Sequence, residues 1–231
     1  MTNKDALYSD YSSLKDWVSL FKPSPDEVAL FNKELATLEL YDQKFLDVGF
    51  GSGALLGWAI QQGADVAGVE IQPELLRAAS SFKITTFADV ADAPNNYYDV
   101  VTGFDVLEHI DRDGIHKFLE EIYRALRPGG VLVLRFPNCQ SPSGLVNQFG
   151  DHTHLTMLSG PIVTFMAMQA GFMKVSFRGA YTMRSKSLVN RMVRKIIAPL
   201  VSLYVLVYRI VLFDRDTPLT PNIILFAYKP N

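Results

Sequence analysis

Hydrophobic positions along this chain fall into short apolar runs, separated by longer stretches in which apolar residues recur every three or four positions. The runs predict strands and the stretches predict amphipathic helices. The predicted strands are Phe45–Val48, Asp65–Glu70, Ile84–Phe87, Tyr98–Gly103, Val131–Phe136, Met173–Tyr181 and Ile223–Tyr228. The fifth run is apolar on both faces, as expected of a central parallel strand.

Helices are predicted between these strands. Their bounds are Gly53–Gln62, Pro73–Ser81, Ile115–Leu126 and Leu158–Ala170, with further helices within residues 5–40. Alternation of strands and helices builds a parallel sheet with right-handed crossovers. The pattern therefore predicts an α/β fold: a mostly parallel seven-stranded sheet with helices on both faces.

The chain has 231 residues, a length that suits one domain with an elaboration. We predict a single domain with an N-terminal helical cap (1–40), a ligand-binding core (41–182), a helical insertion (183–220) and the last strand (221–231). In the cap, Tyr8, Tyr11 and Trp17 either close the ligand pocket or pack as ordinary helix residues.

Composition excludes several classes of protein. The net charge of −2 argues against general nucleic-acid binding. Cys139 is the single cysteine, so an internal disulfide and a cysteine zinc site are excluded. The N-terminal residues Met1–Asp5 lack the apolar core of a signal peptide. We expect a cytoplasmic protein, either free or at the inner face of a membrane.

The most informative segment is Asp47–Gly53, in which a buried strand runs into three alternate glycines. Glycine lets the backbone turn sharply and approach a ligand, which the N–H groups of a following helix then face. Gly49, Gly51 and Ala54 also fit the dinucleotide pattern, with Glu70 positioned for a ribose. Asp47 favours a different ligand, because a carboxylate there attracts a cationic amino-acid end rather than a pyrophosphate.

Two later segments extend this pattern. Asp105–His109 has the sequence Asp-Val-Leu-Glu-His, and Leu126–Gly130 has the sequence Leu-Arg-Pro-Gly-Gly. With the glycine turn and the acid that ends the second strand, this ordered set resembles the class I S-adenosylmethionine-dependent methyltransferases from Phe45 to Pro137. The resemblance implies a Rossmann-like fold, S-adenosylmethionine as the cofactor and S-adenosylhomocysteine as its product.

The resemblance also implies how individual residues bind the cofactor. The methionine part would be held by Asp47, Gly49, Gly51 and Gly53, and its amino group would also meet the Phe104 carbonyl. The ribose hydroxyls would bind Glu70. The adenine would contact Ile71 with its face, and Asp89 and the Val90 backbone with its edge. Phe50 departs from the family pattern, where a small residue or cysteine is common, and we expect it to alter packing at the turn.

Histidines supply the candidate catalytic bases, because this side chain moves protons near neutral pH. His152 and His154 lie in the loop after the fifth strand, and His109 follows Glu108 at a predicted helix start. Each has a structural alternative as a hydrogen-bonding or exposed residue. No metal site is predicted, because the sequence shows no second pair of ligands beside Asp151 and these loop histidines.

The insertion has a charge pattern of its own. From Arg184 to Phe213 it contains six cations and no acid, whereas the other residues carry 16 cations against 24 acids. Ile196–Tyr208 has no charge, but strands of one sheet flank the insertion, so the chain cannot cross a bilayer once between them. Two alternatives stay open for residues 187–213: an interfacial helix on an anionic membrane, or a helical hairpin, broken at Pro199, that packs on the domain or in a homodimer.

The predicted function is in-line transfer of a methyl group to an oxygen of a small-molecule, glycan or lipid-linked acceptor. Such an enzyme mainly aligns the acceptor and excludes water. Two other functions stay open. One is a catalytically silent S-adenosylmethionine-binding scaffold subunit, and the other is an NAD-dependent oxidoreductase, which Asp47 disfavours.

Overall fold

The computed structural model describes residues 20–181, 188–212 and 217–231. The strands are β1 (Lys44–Val48), β2 (Asp65–Val69), β3 (Thr85–Phe87), β4 (Tyr98–Phe104), β5 (Leu126–Pro137), β6 (Met173–Gly179) and β7 (Asn222–Tyr228). They form one sheet in the order β3-β2-β1-β4-β5-β7-β6. β7 runs antiparallel to both of its neighbours, and all other pairs are parallel. The prediction of a mostly parallel seven-stranded sheet is confirmed.

Helices cover both faces of this sheet, as predicted. They are α1 (Pro25–Glu34), α2 (Ala54–Gln61), α3 (Pro73–Ser81), α4 (Arg112–Ala125), α5 (Pro142–Gly150), α6 (Gly160–Gln169) and α7 (Leu188–Leu212). Side chains of β5 alternate between the two faces: Leu132 and Leu134 pack with α4 and α6, while Val131 and Val133 pack with α1, α2 and α3. This period of two explains why the strand is apolar on both faces.

The start of β5 differs from the prediction. The strand begins at Leu126 rather than at Val131, because Leu126 already pairs with Tyr98 of β4. The ladder then shifts register before the pair Val100–Val131. Gly129 has a φ of 77°, so the glycines absorb the irregularity within the strand instead of forming a separate turn before it.

The predicted N-terminal cap is described only from residue 20 onwards, so Tyr8, Tyr11 and Trp17 lie outside the described residues. α1 begins as its sequence indicates. Ser24 accepts a hydrogen bond from the Glu27 N–H at 3.3 Å, and Glu27 Oε2 accepts one from the Ser24 N–H at 2.7 Å. This reciprocal cap fixes the start of the helix, and Phe31 then packs against Trp58 of α2.

The described helix of the insertion, α7, is continuous, so the alternative of a hairpin broken at Pro199 is wrong. α7 runs for 25 residues with Pro199 inside it. A proline removes one backbone hydrogen bond and bends a helix, but a reversal also needs turn residues. The sequence from Ile196 to Leu212 contains no glycine, asparagine or aspartate to supply them. Among the described residues, no helix combines the length and apolarity that a membrane span requires.

Candidate active site

The glycine turn joins β1 to α2. Gly49, Gly51 and Gly53 have φ values of 70°, 51° and 71°, in the left-handed region where side chains are strained. A Cβ on Gly49 would also lie 2.4 Å from a methyl carbon of Val106. Gly53 is the N-cap residue of α2. The predicted strand, turn and helix are therefore confirmed.

Phe50 is accommodated by a small residue on the neighbouring strand. Its ring is buried and packs so close to Gly68 of β2 that a Cβ there would lie 2.5 Å from it. Phe21 completes the packing: its ring centroid lies 5.8 Å from that of Phe50, and its N–H donates to the Ser52 carbonyl at 2.8 Å. Phe50 thus packs the glycine turn against β2 and Phe21.

Glu70 is buried at the end of β2 and is held by three backbone donors. Oε1 accepts from the N–H groups of Ile71 and Gln72 at 2.8 and 3.1 Å, and Oε2 accepts from the Gly51 N–H at 3.1 Å. A carboxylate has about four lone-pair sites. Glu70 therefore fixes the glycine turn and retains capacity for a further donor.

Asp47 is also buried, near the C-terminal end of β1. The pKa of its carboxyl is raised to about 7, mainly by burial and in part by the nearby charge of Glu70. A hydrogen bond from the Thr102 hydroxyl to Oδ1 at 2.7 Å and the charge of Arg135 act in the opposite direction. A cationic ligand beside Asp47 would relieve the cost of burying this charge.

A cavity of about 440 Å³, here called the cofactor cavity, opens along the C-terminal ends of β1, β2 and β4. Its walls include seven of the nine predicted cofactor residues: Gly49, Gly51, Glu70, Ile71, Asp89, Val90 and Phe104. Asp47 and Gly53 do not belong to its lining. Asp89 accepts a hydrogen bond from the Ala91 N–H at 2.9 Å, which orders the loop that carries Val90. The volume falls in the usual range for small-molecule pockets.

Asp105 lies between this cavity and a second one. Its φ of 56° turns the chain at the end of β4, and its N–H donates to the Arg135 carbonyl at 2.8 Å. The Arg135 guanidinium contacts both carboxylate oxygens of Asp105, with Nε at 3.1 Å from Oδ1, and lies 4.9 Å from the Phe104 ring centroid. This bidentate pair holds Asp105 in place.

The second cavity has a volume of about 360 Å³ and is here called the acceptor cavity. Its lining is Asp105, Glu108, His109, Pro137, Val146, Asn147, Gly150, Asp151, His154 and Asn222. Asp105 and His109 line both cavities. The structure therefore places a smaller polar chamber directly beside the cofactor cavity.

His154 and Glu108 meet in this chamber. His154 Nε2 lies 3.9 Å from Glu108 Oε1, and Nδ1 lies 3.1 Å from the Gln148 carbonyl. Because a carbonyl only accepts, Nδ1 carries the hydrogen and Nε2 of the neutral ring has a lone pair. Among the described residues, neither carboxylate oxygen of Glu108 has a hydrogen-bond partner. Burial, together with the charge of Asp105, raises the pKa of Glu108 well above its ordinary value.

His109 packs beside them. Its ring centroid lies 4.7 Å from that of His154, edge to face. Nδ1 is 3.2 Å from the Thr153 carbonyl and 3.0 Å from the Thr153 hydroxyl oxygen, whose own hydrogen is donated to Asp151. The hydrogen is therefore on Nδ1 here as well. The N–H groups of Leu155 and Thr156 donate to the Glu108 carbonyl at 2.8 and 3.1 Å. These bonds hold the loop that carries His154 against the turn Leu107–His109.

The structure separates the three histidines predicted as bases. His109 and His154 come together, while His152 is exposed and lines neither cavity. Sequence reasoning missed Glu108, although the Asp-Val-Leu-Glu-His segment contains it, and it missed α5, which contributes Val146 and Asn147 to the chamber. The Asn147 side-chain amide donates a hydrogen bond to Asn222 Oδ1 at 2.8 Å, a contact between distant segments that the local sequence does not predict.

The sequence matches the methyltransferase domain family over residues 16–176. The chain therefore belongs to this family, and the resemblance to class I S-adenosylmethionine-dependent methyltransferases is confirmed. Solved structures agree in fold. A methyltransferase from Archaeoglobus fulgidus superposes with a TM-score of 0.65 at 19% identity, covering 87% of this chain and 92% of that one. The Burkholderia thailandensis 1,6-didemethyltoxoflavin N1-methyltransferase gives 0.60 at 16% identity, covering 99% of this chain and 87% of that one.

One similar named protein is the ubiquinone biosynthesis O-methyltransferase of Psychrobacter arcticus. It is 27% identical over 177 residues, which cover 67% of this chain and 68% of that protein. Several other proteins of the same name align over about half of their own length. Because a third to a half of each relative remains unmatched, these alignments define the catalytic domain rather than the acceptor.

Proposed function

We propose that this chain transfers a methyl group from S-adenosylmethionine to an oxygen atom of a small-molecule acceptor. The observation that carries the proposal is the shared wall of the two cavities, where Asp105 and His109 would face both ligands. Oxygen is favoured as the acceptor atom because the named relatives are O-methyltransferases.

The described residues fit this cofactor. Asp47 lies outside the cavity lining but directly precedes the lining residues Val48 and Gly49, so its buried carboxylate would attract the ammonium group by charge. Glu70 lines the cavity and keeps lone-pair capacity for a ribose hydroxyl beside the glycine turn. The cofactor supplies a methyl group already activated on a positively charged sulfur. The protein has to align the acceptor oxygen with that methyl group and exclude water.

His154 is the group proposed to take the acceptor proton. The Gln148 carbonyl fixes hydrogen on Nδ1 and leaves Nε2 in the acceptor cavity as the basic atom. Glu108, 3.9 Å from Nε2, would stabilise the charged imidazolium when the carboxylate is ionised. His109 would position the loop through Thr153, and His152 has no part in this scheme.

Calorimetric titration with S-adenosylhomocysteine and with NADH tests the cofactor. We expect the wild type to bind only the former. Gly51→Val should abolish binding, because this residue has a φ of 51° and lines the cofactor cavity. Gly150→Val is the matched control, since a Cβ at Gly150 meets nothing within 4 Å. Binding of NADH alone would contradict the proposal.

Transfer of a labelled methyl group from S-adenosylmethionine to phenolic and lipid-linked acceptors distinguishes an enzyme from a catalytically silent scaffold.

An amphiphilic acceptor, such as a lipid-linked glycan or a quinone-like phenol, is supported by the surroundings of the chamber. Val146 lines the acceptor cavity and is 70% exposed, and Phe149 on the same helix is 73% exposed. The chain that returns from α7 is hydrogen-bonded to the start of α5: the Ser141 hydroxyl donates to the Leu219 carbonyl at 2.7 Å. The apolar insertion is thus connected to the wall of the chamber.

We also propose that α7 lies on the inner face of an anionic membrane, which would make the protein peripheral. Large apolar side chains are exposed along the helix, among them Ile196, Leu200, Leu203, Leu206 and Val211. A stripe of Val205, Tyr208 and Arg209 is half-buried. The sequence around this surface contains six cations and no acid. A homodimer through the same helix is the competing arrangement.

A further inference from the structure

Three ligand-type side chains converge in the acceptor cavity. A carboxylate oxygen of Glu108 and one ring nitrogen from each of His109 and His154 all lie within 4.8 Å of one another. We propose that these three residues, the Glu108 cluster, bind a divalent transition-metal ion, with zinc as the best match to two imidazoles and one carboxylate. The proposal rests on the proposed function for its catalytic role, but not for metal binding itself.

In the part of the chain that the structure describes, no hydrogen bond accounts for the buried position of the Glu108 carboxylate. Its side chain is 1% exposed, and neither of its two buried oxygens is hydrogen-bonded to a residue in the ranges 20–181, 188–212 and 217–231. The carboxylates of Asp105 and Asp151 add negative potential at this point, and Arg135 offsets it in part. Buried polar groups are almost always paired, so an orphaned carboxylate calls for a cation or a proton. A metal ion bound to one of these oxygens would compensate the buried charge.

The histidines are oriented as metal ligands usually are. Each donates its Nδ1 hydrogen to a backbone carbonyl, His154 to Gln148 and His109 to Thr153. Such outer hydrogen bonds fix the ring and its tautomer, and they leave Nε2 with the lone pair that binds a metal. Asp151 supports this arrangement indirectly, because it accepts the Thr153 hydroxyl hydrogen and the Thr153 N–H.

Three protein ligands leave coordination positions for a substrate oxygen, as in catalytic zinc sites. The cluster lines the acceptor cavity, and His109 also lines the cofactor cavity. A metal-bound acceptor hydroxyl would lose its proton to water more readily. The oxygen would then form the bond to the methyl carbon while the sulfur–methyl bond breaks, its electron pair staying on sulfur. On this account, His154 is a ligand rather than the base.

Metal binding is measured directly, on tag-free protein that is stripped with chelator, reloaded with excess zinc and dialysed against metal-free buffer. We expect elemental analysis to find one equivalent of zinc per chain. When cobalt(II) is added instead, we expect visible d–d absorption typical of a cobalt ion with a low coordination number. Glu108→Gln keeps the shape of the side chain but removes its charge, and His154→Ala removes a ligand. Each should weaken binding by more than the roughly tenfold to hundredfold that the loss of an outer hydrogen-bond partner of a metal ligand costs. His116→Ala is the matched control, because His116 is exposed on α4.

The outcomes separate this inference from the proposed function. A folded wild type, verified by circular dichroism, that takes up neither zinc nor cobalt would overturn the metal site. Equal binding by wild type, Glu108→Gln and His154→Ala would also overturn it, because the ion would then sit elsewhere. If S-adenosylhomocysteine binds but metal does not, the metal proposal alone fails. If metal binds as predicted but S-adenosylhomocysteine does not, the proposed function fails. Loss of methyl transfer on chelation, restored by zinc, would support both.

Discussion

The Gly51 N–H donates a hydrogen bond to Glu70 Oε2 over 3.1 Å, and this bond ties the middle of the glycine turn to the end of β2. The other carboxylate oxygen is held by the N–H groups of Ile71 and Gln72. Glu70 therefore shapes the cofactor cavity as well as lining it. A change at Glu70 should affect both the turn and the proposed contact with a ribose.

Glu70→Ala should weaken binding of S-adenosylhomocysteine by roughly tenfold to a hundredfold, because hydrogen bonds to a charged group contribute about 1.5–3 kcal/mol. Calorimetric titration measures this change. Glu74→Ala is the matched control, since Glu74 is an exposed acid on α3 that pairs only with its neighbour Arg77 in the contacts described. Equal affinities for the two variants would remove Glu70 from the binding site.

Asp47 should make folding stability depend on pH. Burial raises its folded-state pKa to about 7 from an ordinary value of 3.8. Between these values the folded protein holds a proton that the unfolded chain releases, so the free energy of unfolding falls as pH rises from about 4 to about 7. Asp47→Asn carries no charge at any pH. Its stability relative to wild type should therefore increase by up to about 4 kcal/mol between pH 4 and pH 8.

Urea unfolding of both proteins at pH 4 and pH 8 tests the Asp47 prediction. Asparagine can still accept the hydrogen bond from Thr102, so the variant keeps that contact. A pH-independent difference between the two proteins would show that Asp47 is ionised in the folded state at both pH values.

His154→Ala should lower turnover by about 10²–10⁴-fold while the affinity for S-adenosylhomocysteine stays nearly unchanged. His154 lines only the acceptor cavity, so its loss should spare the cofactor. His152→Ala should be close to wild type, because this side chain is exposed and outside both cavities. Unchanged turnover in His154→Ala and His109→Ala would mean that the acceptor needs neither a base nor a metal held by these residues.

The sequence predicts local features of the fold well and misses contacts between distant segments. α3 has its predicted bounds because Pro73 can occupy the first turn and a regular apolar face follows. The Glu108–His154 pair has no such local cause. Backbone hydrogen bonds from Leu155 and Thr156 to the Glu108 carbonyl bring the two segments together. The spacing of apolar residues along the chain does not predict these bonds.

α5 shows a second limit of sequence reasoning. Its first residues are Pro-Ser-Gly, which are typical of a loop. Gly144 is needed there because a Cβ would lie 2.0 Å from the Asn138 carbonyl oxygen. Close packing of this helix against the loop after β5 therefore outweighs its weak helical propensity. The sequence therefore does not predict the acceptor cavity, because part of its wall is formed by α5.

An ion pair between the buried Glu34 and the partly exposed Arg178 should stabilise the junction between α1 and the end of β6. Arg178 Nη1 donates to Glu34 Oε2 at 2.8 Å, and the Tyr181 N–H donates to Glu34 Oε1 at 2.6 Å. Arg178→Ala would leave the Glu34 carboxylate buried without its cation. Because solvent screens the partly exposed Arg178, we expect a cost of about 1–3 kcal/mol in the free energy of unfolding. Adding Glu34→Gln to this variant should recover part of the loss. Urea unfolding of the three variants would contradict the prediction if the double variant were the least stable.

The surface of α7 provides the last prediction. If the helix lies on anionic lipid, each nearby cation adds about 1 kcal/mol, and salt screens the attraction. Co-sedimentation with liposomes should then increase with the anionic lipid fraction and decrease at high salt. Changing Arg191, Arg194 and Lys195 to Glu should abolish it without unfolding the domain. Changing Lys22, Arg112 and Lys117 to Glu is the matched control, because the net charge changes equally on exposed positions elsewhere.

A packed dimer makes the opposite prediction for the same helix. Binding to liposomes would not depend on lipid charge, and the protein would sediment as a dimer in analytical ultracentrifugation. Leu203→Asp with Leu206→Asp should then dissociate it, because both side chains are more than half exposed in the single chain and a partner would have to cover them. A soluble dimer that ignores charged liposomes would rule out the membrane contact. An acceptor held at a membrane would lose its main support with it, whereas methyl transfer to a soluble acceptor would remain.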